Sequence, residues 1–304
     1  MNKNNSNHTV LTIGTFDGVH IGHQKIIKRL VEISKVKNLT PSLLTFFPHP
    51  RMVLQKDANI KLINTISEKE TILNAFGISN LIIKEFTKDF SRLTALEYVE
   101  NILVNQLKAK HIIIGYDHHF GRNRNANIED LKQFGKDFNF EVEEISKQDI
   151  NDVAVSSTKI RNALLEGDIK TANAYLGYNF MLSGTVISGK KLGKTINYPT
   201  ANLYIEENYK LIPKHGVYIV KSEIDHQTVY GMMNIGFNPT VNGKHQTIET
   251  HFFNFNKDLY GKNLKIELLQ RLRNEHKFES VSELQNQLHK DKTDALEFLN
   301  KNAW

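Results

Sequence analysis

Residues 14–23 read GTFDGVHIGH, and they directly follow the apolar run VLTI at residues 10–13. The apolar run predicts a buried strand, and KIIKRLVEISKVK at residues 25–37 carries its apolar residues at helical spacing. Strand-like and helix-like segments go on alternating as far as FEVEEI at residues 140–145. This alternation predicts a parallel sheet with helices packed on its faces. Ligands on such sheets bind beyond the carboxyl ends of the strands, and the stretch at 14–23 begins at one such end.

After about residue 178 the pattern changes to short strand candidates such as MLSGTVIS at 181–188 and NLKIELL at 263–269. Gly, Asn, Asp or Pro separates these candidates, which favours an antiparallel sheet or a small barrel. A helix is predicted to close the chain, with Ser280 and Glu283 forming a capping box. We therefore predict an α/β domain over residues 1–178 and an antiparallel β-barrel domain with a terminal helix over residues 179–304.

The composition limits the class of protein. The chain has 304 residues, no cysteine and a formal net charge of +6. The lack of cysteine excludes disulfides, thiolate metal sites and a cysteine nucleophile, and it fits a reducing compartment. The basic residues are scattered, so we expect sites for anionic small molecules and no nucleic-acid partner. The polar start and the short apolar runs predict a soluble cytoplasmic protein with no membrane partner, and they leave the oligomeric state open.

The GTFDGVHIGH stretch carries two imidazoles on one predicted helix face. Gly14 is predicted to end the strand in a turn that other residues resist, and Asp17 continues this turn. His20 and His23 are spaced i and i+3 at a predicted helix N-terminus, where free N–H groups favour an anion. Both rings could donate hydrogen bonds to a phosphate whose charge grows in a transition state. Two alternatives stay open: zinc ligation, for which further ligands are not evident, and a purely structural role.

A second cluster, VSSTKIR at residues 155–161, combines hydroxyls with a cation. Ser156, Ser157 and Thr158 are predicted to cap a helix, and Arg161 follows one turn into it. Ile160, Leu164 and Leu165 are predicted to continue this helix as one apolar face. Hydroxyls at a helix start together with an arginine can hold a phosphate.

The HIGH and SSTKIR elements resemble the signatures of the nucleotidyltransferase superfamily. Together with TFFPHP at 45–50 and IGYDHHFG at 114–121, they look like the Rossmann-like adenylyltransferase module of bacterial FAD synthetases. The resemblance implies that the phosphate of FMN attacks the α-phosphorus of ATP to give FAD and pyrophosphate. It assigns His20 and His23 to the α-phosphate, and Arg161 and Ser157 to the outgoing pyrophosphate. It also implies ATP contacts for Gly14, Phe16, Asp17, Gly22 and Thr158, and flavin or nucleotide contacts for Pro48, His49, Asp117 and Phe120. For Phe120, core packing is an equally good interpretation.

A third element, SGKKLGKTINYPTANL at residues 188–203, combines a basic loop with an extended segment. Gly189, Lys191 and Gly193 lie in a loop that is not a Walker A motif, because three residues and not four separate Gly189 from the GKT at residues 193–195. Thr200 and Asn202 offer oxygens on the same side of the extended segment, which suits Mg²⁺ carried by ATP phosphates. The alternative is a polar turn after Pro199.

This element is followed by HGVYIV at 215–220, NIGFNPTV at 234–241 and IETHFFNFNKDLYG at 248–261, and the series resembles riboflavin kinase. The resemblance assigns Glu249 as the base for the 5′-hydroxyl of riboflavin, and Gly189, Lys191 and Gly193 to ATP. The whole chain looks like a bifunctional riboflavin kinase/FAD synthetase with ATP, riboflavin, FMN and FAD as its small-molecule partners and Mg²⁺ as its cofactor. The chain departs from the family patterns at Phe47, His118, Asn123, Ala126 and Asn197. Two alternatives remain: an FAD synthetase with a weak or inactive kinase module, and a flavin- or nucleotide-binding regulatory protein.

Overall fold

The computed structural model describes residues 8–55, 60–116, 118–146, 155–189, 192–240 and 243–302. The chain divides into two compact units, Met1–Ser157 and Thr158–Trp304. The sequence places the domain boundary later, between residues 178 and 179, and that boundary stays a prediction.

The first unit is an α/β layer structure. Its helices and strands, in chain order, are β1 (Thr9–Ile13), α1 (Ile21–Lys37), β2 (Thr40–Phe47), α2 (Pro50–Leu54), α3 (Ile66–Ala75), β3 (Asn80–Glu85), α4 (Ala95–Glu97), β4 (Ala109–Gly115), α5 (Ile128–Phe138) and β5 (Glu141–Ile145). Within the described residues, the sheet has five strands in the order β3-β2-β1-β4-β5, and every pair is parallel. The prediction of a parallel α/β sheet is confirmed.

Strand β1 lies at the centre of this sheet, and all five of its residues are buried. Helix α1 packs its apolar stripe, which includes Ile27 and Leu30, onto the sheet, and it ends at Asn38 in the left-handed conformation. The Gly14 backbone N–H donates to the Leu44 carbonyl at 3.0 Å. The carboxyl ends of β1 and β2 therefore lie side by side, and the segments that follow them start at the same edge of the sheet.

The chain forms a helix of mixed type at residues 94–107. Thr94 and Glu97 make a reciprocal capping box at the start of α4, and the helix continues as a π-helix over Tyr98–Gln106. The Leu107 N–H reaches the Ile102 carbonyl at 2.9 Å, which is the wider hydrogen-bond spacing of a π-helix. Two short 3₁₀ turns, Phe90–Arg92 and Arg122–Arg124, precede and follow this region.

The second unit is a barrel with helices. Helix α6 (Ser157–Glu166) begins at the last residue of the first unit. It is followed by α7 (Ile169–Leu176), β6 (Met181–Ile187), α8 (Leu192–Thr195), β7 (Ala201–Tyr204), β8 (Gly216–Ile224), β9 (Gln227–Thr240), β10 (Gly243–Phe252), β11 (Asn263–Arg273) and α9 (Val281–Lys301). In the described part of this unit, six strands close in the order β10-β7-β6-β11-β8-β9, and all pairs are antiparallel. The prediction of an antiparallel barrel with a terminal helix is confirmed.

Two local predictions need correction. On α6, Ile160 and Leu164 are buried, but Leu165 is 56% exposed and does not belong to the packed face. At α9, the Glu283 N–H donates to Ser280 Oγ at 3.2 Å as predicted. The Glu283 carboxylate, however, accepts from the Glu279 N–H at 3.1 Å, so it bonds one residue earlier than a capping box requires.

The Asn173 side chain joins α7 to the barrel. Its Nδ2 donates to the Leu268 carbonyl on β11 at 2.9 Å, and its Oδ1 accepts from the Phe180 N–H at 2.7 Å. The Leu268 N–H returns to the Phe180 carbonyl at 2.8 Å. One side chain therefore satisfies backbone groups on two segments at once.

We expect Asn173→Ala to destabilise the second unit by about 1–3 kcal/mol, because it leaves two partly buried backbone groups without partners. Asn162→Ala is the matched control, since Asn162 is exposed on the preceding helix, α6. Calorimetric unfolding of the full-length variants measures the effect. Equal transition temperatures for the two variants would show that the Asn173 bonds contribute nothing.

Candidate active sites

The loop after β1 is a strained turn. Phe16 and Val19 adopt left-handed backbone angles, with φ of 43° and 38°, and Gly18 between them has φ 86°. Such angles are unfavourable for a bulky or β-branched residue, so the surrounding structure must hold them. Phe16 and Val19 are both buried, which supplies part of that restraint.

Buried hydrogen bonds supply the rest of the restraint. Asp17 is 2% exposed, and its Oδ1 accepts from the Ile63 N–H at 2.9 Å. The Gln24 side chain donates to the Val19 carbonyl at 2.9 Å. These bonds tie the turn to the segment before α3 and to α1, so the turn is held from both sides.

Gly14 has a different role from the one the sequence suggests. The backbone φ of Gly14 is not positive, so the turn does not need the conformational freedom of glycine at this position. A Cβ at Gly14 would lie 3.0 Å from the Phe16 ring. The absent side chain gives Phe16 the space to turn inward, and the predicted role in chain reversal belongs to Phe16, Gly18 and Val19.

His20 and His23 form a stacked pair at the start of α1. His20 is the N-cap residue, and its Nδ1 accepts from the His23 N–H at 3.4 Å. The two ring centroids lie 3.7 Å apart at an interplanar angle of 16°. Phe16 contacts His23 from another side, with ring centroids 4.6 Å apart. Gly22 is buried in the first turn of α1, between the two histidines.

Burial favours the neutral form of both imidazoles. Burial lowers the pKa of His20 to about 4, and the charge of Asp17 opposes this shift. Burial also lowers the pKa of His23 far below its usual value, and His20 and Lys69 add to that effect. Because His20 Nδ1 accepts a hydrogen bond, the proton of the neutral ring is on Nε2. His20 therefore presents an Nε2–H donor at the N-terminus of a helix.

His23 leaves a buried nitrogen available. Among the described residues, its Nδ1 has no hydrogen-bond partner. A buried polar atom without a partner is costly, and such atoms concentrate at functional sites. The two histidines are thus brought together as predicted, in a geometry that can contact an anion.

The second predicted cluster meets this turn through Ser157. Its Oγ donates to the Asp17 carbonyl at 2.8 Å, and Ser157 is the first residue of α6. The hydroxyl therefore ties the start of this helix to the strained turn, and its cap role stays a prediction. Thr158 is exposed on the first turn of α6, and Arg161 lies one turn further along, half-buried.

The predicted flavin contacts lie in different settings. Pro48 follows Phe47 through a cis peptide, and His49 is the N-cap of α2, where its Nδ1 accepts from the Arg51 N–H at 3.2 Å. Phe120 is 7% exposed in the hydrophobic core, and its ring lies 5.8 Å from that of Tyr98. Core packing therefore describes its position, as the alternative interpretation expects. Asp117 lies outside the described residues.

Tyr98, a buried tyrosine beside Phe120, is not predicted from the sequence. It is 4% exposed beside Phe90 and Phe120, and burial raises the pKa of its hydroxyl. No motif marks it, because its position depends on the π-helix that carries it.

The predicted oxygen cluster of the second unit does come together. Thr200 precedes β7, and Asn202 on β7 pairs directly with Glu249 on β10. Thr200 Oγ1 donates to Glu249 Oε2 at 3.5 Å, a long hydrogen bond. Thr200 and Glu249 are therefore in contact where β7 pairs with β10, and Asn202 lies opposite Glu249 in the register.

This point borders a cavity of about 250 Å³ inside the second unit. Thr200, Asn234, Glu249 and Arg273 supply polar groups to its wall, and Met232 and Leu288 are among its apolar lining residues. A mostly apolar cavity with a few convergent polar groups is the usual form of a small-molecule site.

The basic loop packs closely against the oxygen cluster. A Cβ at Gly189 would overlap the Asn202 amide, and a Cβ at Gly193 would overlap the Tyr198 carbonyl. Close approach of backbone therefore requires glycine at position 193, whereas a side chain at position 189 would displace the Asn202 amide. Asn197 adopts φ 63°, the left-handed region that asparagine tolerates better than most residues. Lys191 lies outside the described residues.

Two further contacts close the cavity and were not expected from sequence. The Tyr198 hydroxyl and His289 Nδ1 are 2.7 Å apart, which links the loop before β7 to the terminal helix. Arg273 pairs with Asp291 through two bonds of 2.8 and 2.7 Å, and Asp291 is 1% exposed. These residues are far apart in sequence and belong to no short motif, so only the fold shows them.

The structure also bears on metal binding. Among the described residues, no group of three or more His, Asp or Glu side chains could hold a metal ion, so the zinc interpretation of the two histidines gains no support. Thr200 and Asn202 offer neutral oxygens, which are suitable ligands for Mg²⁺ that arrives with nucleotide phosphates. They fit a shared site with the nucleotide and do not form a cage of protein ligands.

Comparisons with known proteins agree with the two units. The family model for FAD synthetase matches residues 2–159, and the model for riboflavin kinase matches residues 176–299. The chain is 40% identical over 295 residues to the bifunctional riboflavin kinase/FMN adenylyltransferase of Buchnera aphidicola subsp. Schizaphis graminum, with 96% of this chain and 94% of that relative covered. It is 38% identical over 294 residues to the protein of the same description from Listeria monocytogenes, with 96% and 93% covered.

A solved structure is similar to this chain over most of its length. It is a crystal structure described as a macrolide-efflux protein from Streptococcus pneumoniae, 32% identical, with a TM-score of 0.84 and 95% of this chain and 94% of that chain covered. In the part of the present chain that the structure describes, no helix combines the length and apolar character that crossing a membrane requires. Both family models and relatives that match nearly end to end lead to one assignment: the chain belongs to the bifunctional riboflavin kinase/FMN adenylyltransferase family.

Proposed function

We propose that the chain catalyses two successive reactions, the phosphorylation of riboflavin by ATP to FMN and the adenylylation of FMN by ATP to FAD. The observation that supports the proposal is that each unit brings polar groups of its predicted site together: the stacked histidines at a helix N-terminus in one, and Thr200 and Glu249 beside a cavity, with Asn202 opposite Glu249, in the other. Because both reactions consume ATP, we place them in the cytoplasm.

In the first unit, adenylyl transfer needs positioning and charge stabilisation and no covalent intermediate. A phosphate oxygen of FMN attacks the α-phosphorus of ATP, the bond to the bridging β-phosphate oxygen breaks, and pyrophosphate leaves. The neutral His20 ring is suited to donate its Nε2–H to the α-phosphate, and the N–H groups of the first turn of α1 favour the same anion.

The remaining predicted residues of this site divide into two roles. Ser157 acts on the turn itself, because its hydroxyl hydrogen is bonded to the Asp17 carbonyl. Arg161, one turn further along α6, is the cation proposed for the outgoing pyrophosphate, with Thr158 beside it. Pro48, His49 and Phe120 remain proposed flavin or nucleotide contacts, as does Asp117.

In the second unit, the 5′-hydroxyl oxygen of riboflavin attacks the γ-phosphorus of ATP, and ADP leaves. Glu249 is placed to accept the hydroxyl proton, because its carboxylate borders the cavity and is held by Thr200. Thr200 and Asn202 would hold Mg²⁺ with the nucleotide, and the ion would neutralise charge on the transferred phosphate. Gly189, Lys191 and Gly193 are the proposed nucleotide loop.

The rival proposal is an FAD synthetase with an inactive kinase unit. It rests on Asn197, which stands where the family pattern has glycine. In the structure, Asn197 adopts the left-handed conformation at φ 63°, and Thr200, Asn202 and Glu249 converge beyond it. This observation favours two active units over one.

We also propose that the working domains are residues 1–178 and 179–304, as the change of sequence pattern suggests.

We expect His23→Ala to lower the rate of FAD formation from FMN and ATP by about 10²–10³, as the loss of one preorganised phosphate contact does. The rate is measured by separating FMN from FAD after incubation with Mg²⁺ and ATP. Riboflavin phosphorylation by the same sample is the internal control and should not change. Unchanged FAD formation would remove His23 from the catalytic residues.

We expect Glu249→Gln to lower FMN formation from riboflavin by about 10²–10⁴, because glutamine keeps the shape but cannot take the proton. Conversion of FMN to FAD should continue at the rate of the unaltered chain. Glu206→Gln is the matched control, since Glu206 is exposed just after β7. If the unaltered chain converts FMN but never phosphorylates riboflavin, the two-reaction proposal is wrong and the FAD-synthetase alternative stands.

A further inference from the structure

Lys69 is a lysine in the interior of the first unit. It lies on α3, is 3% exposed, and donates from Nζ to the Thr15 carbonyl at 2.7 Å. Lysine is almost never fully buried unless it is paired, because removing an ammonium group from water is costly. No sequence motif marked this residue, and the proposed reaction does not use it.

The carbonyl that Lys69 holds lies at the base of the strained turn. Thr15 directly precedes Phe16, the first residue with a left-handed φ. The same carbonyl also accepts from Thr45 Oγ1 at 3.2 Å, at the carboxyl end of β2. Two donors from different elements therefore fix the peptide from which the turn starts.

Lys69 also acts on His23 through its charge. After burial and the influence of His20, the charge of Lys69 is the next contribution that lowers the pKa of His23. Asp17 is the acidic group of this environment. Its charge raises the pKa of His20 and opposes the fall that burial causes in the pKa of Lys69. Asp17 thus favours the charged form of His20, and Lys69 favours the neutral form of His23.

We propose that Lys69 is a positioning residue of the adenylyl-transfer site, which anchors the Thr15 peptide beneath the turn and holds a buried positive charge beside His23. Its Nζ is bonded to a carbonyl and the residue is almost fully buried, so it acts through the turn and the histidines and does not bind the nucleotide itself. The inference rests on the proposed adenylyltransferase function of this site.

Three variants separate the two parts of the proposal. Lys69→Arg keeps both charge and donor, Lys69→Gln keeps a donor without charge, and Lys69→Met keeps neither. Lys28→Met is the matched control for net charge, because Lys28 is exposed on α1. All variants are made in the full chain, where riboflavin phosphorylation reports on the second unit.

The first measurement is the titration of the His23 ring by NMR of histidine-labelled protein, with the signal assigned through a His23→Asn variant. We expect the protonation midpoint of His23 to rise in Lys69→Met and Lys69→Gln, because a nearby positive charge has been removed. It should stay unchanged in Lys69→Arg and Lys28→Met. This readout needs no substrate, so it tests Lys69 even if the chain makes no FAD, an outcome that would overturn the proposed function alone.

The second measurement is the rate of FAD formation from FMN against pH. We expect up to about 10²-fold loss of kcat in Lys69→Met, a smaller loss in Lys69→Gln, and recovery in Lys69→Arg. The acid limb of the profile should move to higher pH in the two uncharged variants, since the His23 ring then becomes protonated at higher pH. Should Lys69→Met fail to fold, Lys69→Gln decides the result. The proposal would be overturned if a folded uncharged variant had the same His23 midpoint and the same pH profile of FAD formation as the unaltered chain. It would also be overturned if Lys69→Arg were as impaired as Lys69→Met.

Discussion

The proposed adenylyl-transfer site depends on one constraint, the left-handed turn at Phe16–Val19. Bulky residues resist such angles, so the turn exists only because its neighbours hold it. Asp17 binds the Ile63 N–H, Ser157 binds the Asp17 carbonyl, and Lys69 binds the Thr15 carbonyl. These bonds come from segments that are far apart in sequence. The stacked histidines follow from the turn, because its last step sets where α1 begins and makes His20 the cap.

The second site depends on which face of the extended chain each residue occupies. Alternate residues of an extended segment share one face, so Thr200, just before β7, and Asn202, within it, project to the same side. The antiparallel register then places Glu249 opposite Asn202. A shift of one residue between β7 and β10 would turn the carboxylate away from the other two oxygens. Closure of the barrel and the terminal helix, tied by Tyr198–His289 and Arg273–Asp291, complete the cavity around this point.

Sequence reasoning succeeded where chemistry is local. Hydrophobic periodicity predicted the strands and helices, and motifs brought His20, His23, Thr200, Asn202 and Glu249 to notice. It did not identify the roles of residues whose partners are distant in the sequence. Gly14 is small because of the Phe16 ring, and Ser157 bonds to a turn 140 residues earlier in the chain. Lys69 and Asp291 belong to no motif, because their roles arise from burial beside partners that no spacing rule connects.

Closure of the barrel also governs how its length can vary. In a ring of paired strands, the stagger summed around the circuit must stay fixed, so an extra residue within a strand has to be compensated in another strand. Connecting loops carry no such condition and accept insertions and deletions more readily. The tight Asp225–His226 turn between β8 and β9, with both residues left-handed, is an exception, because it pins the Ile224–Gln227 pairing. Relatives of different length should therefore differ in the segments between β7 and β8 or between β10 and β11, and much less within the strands.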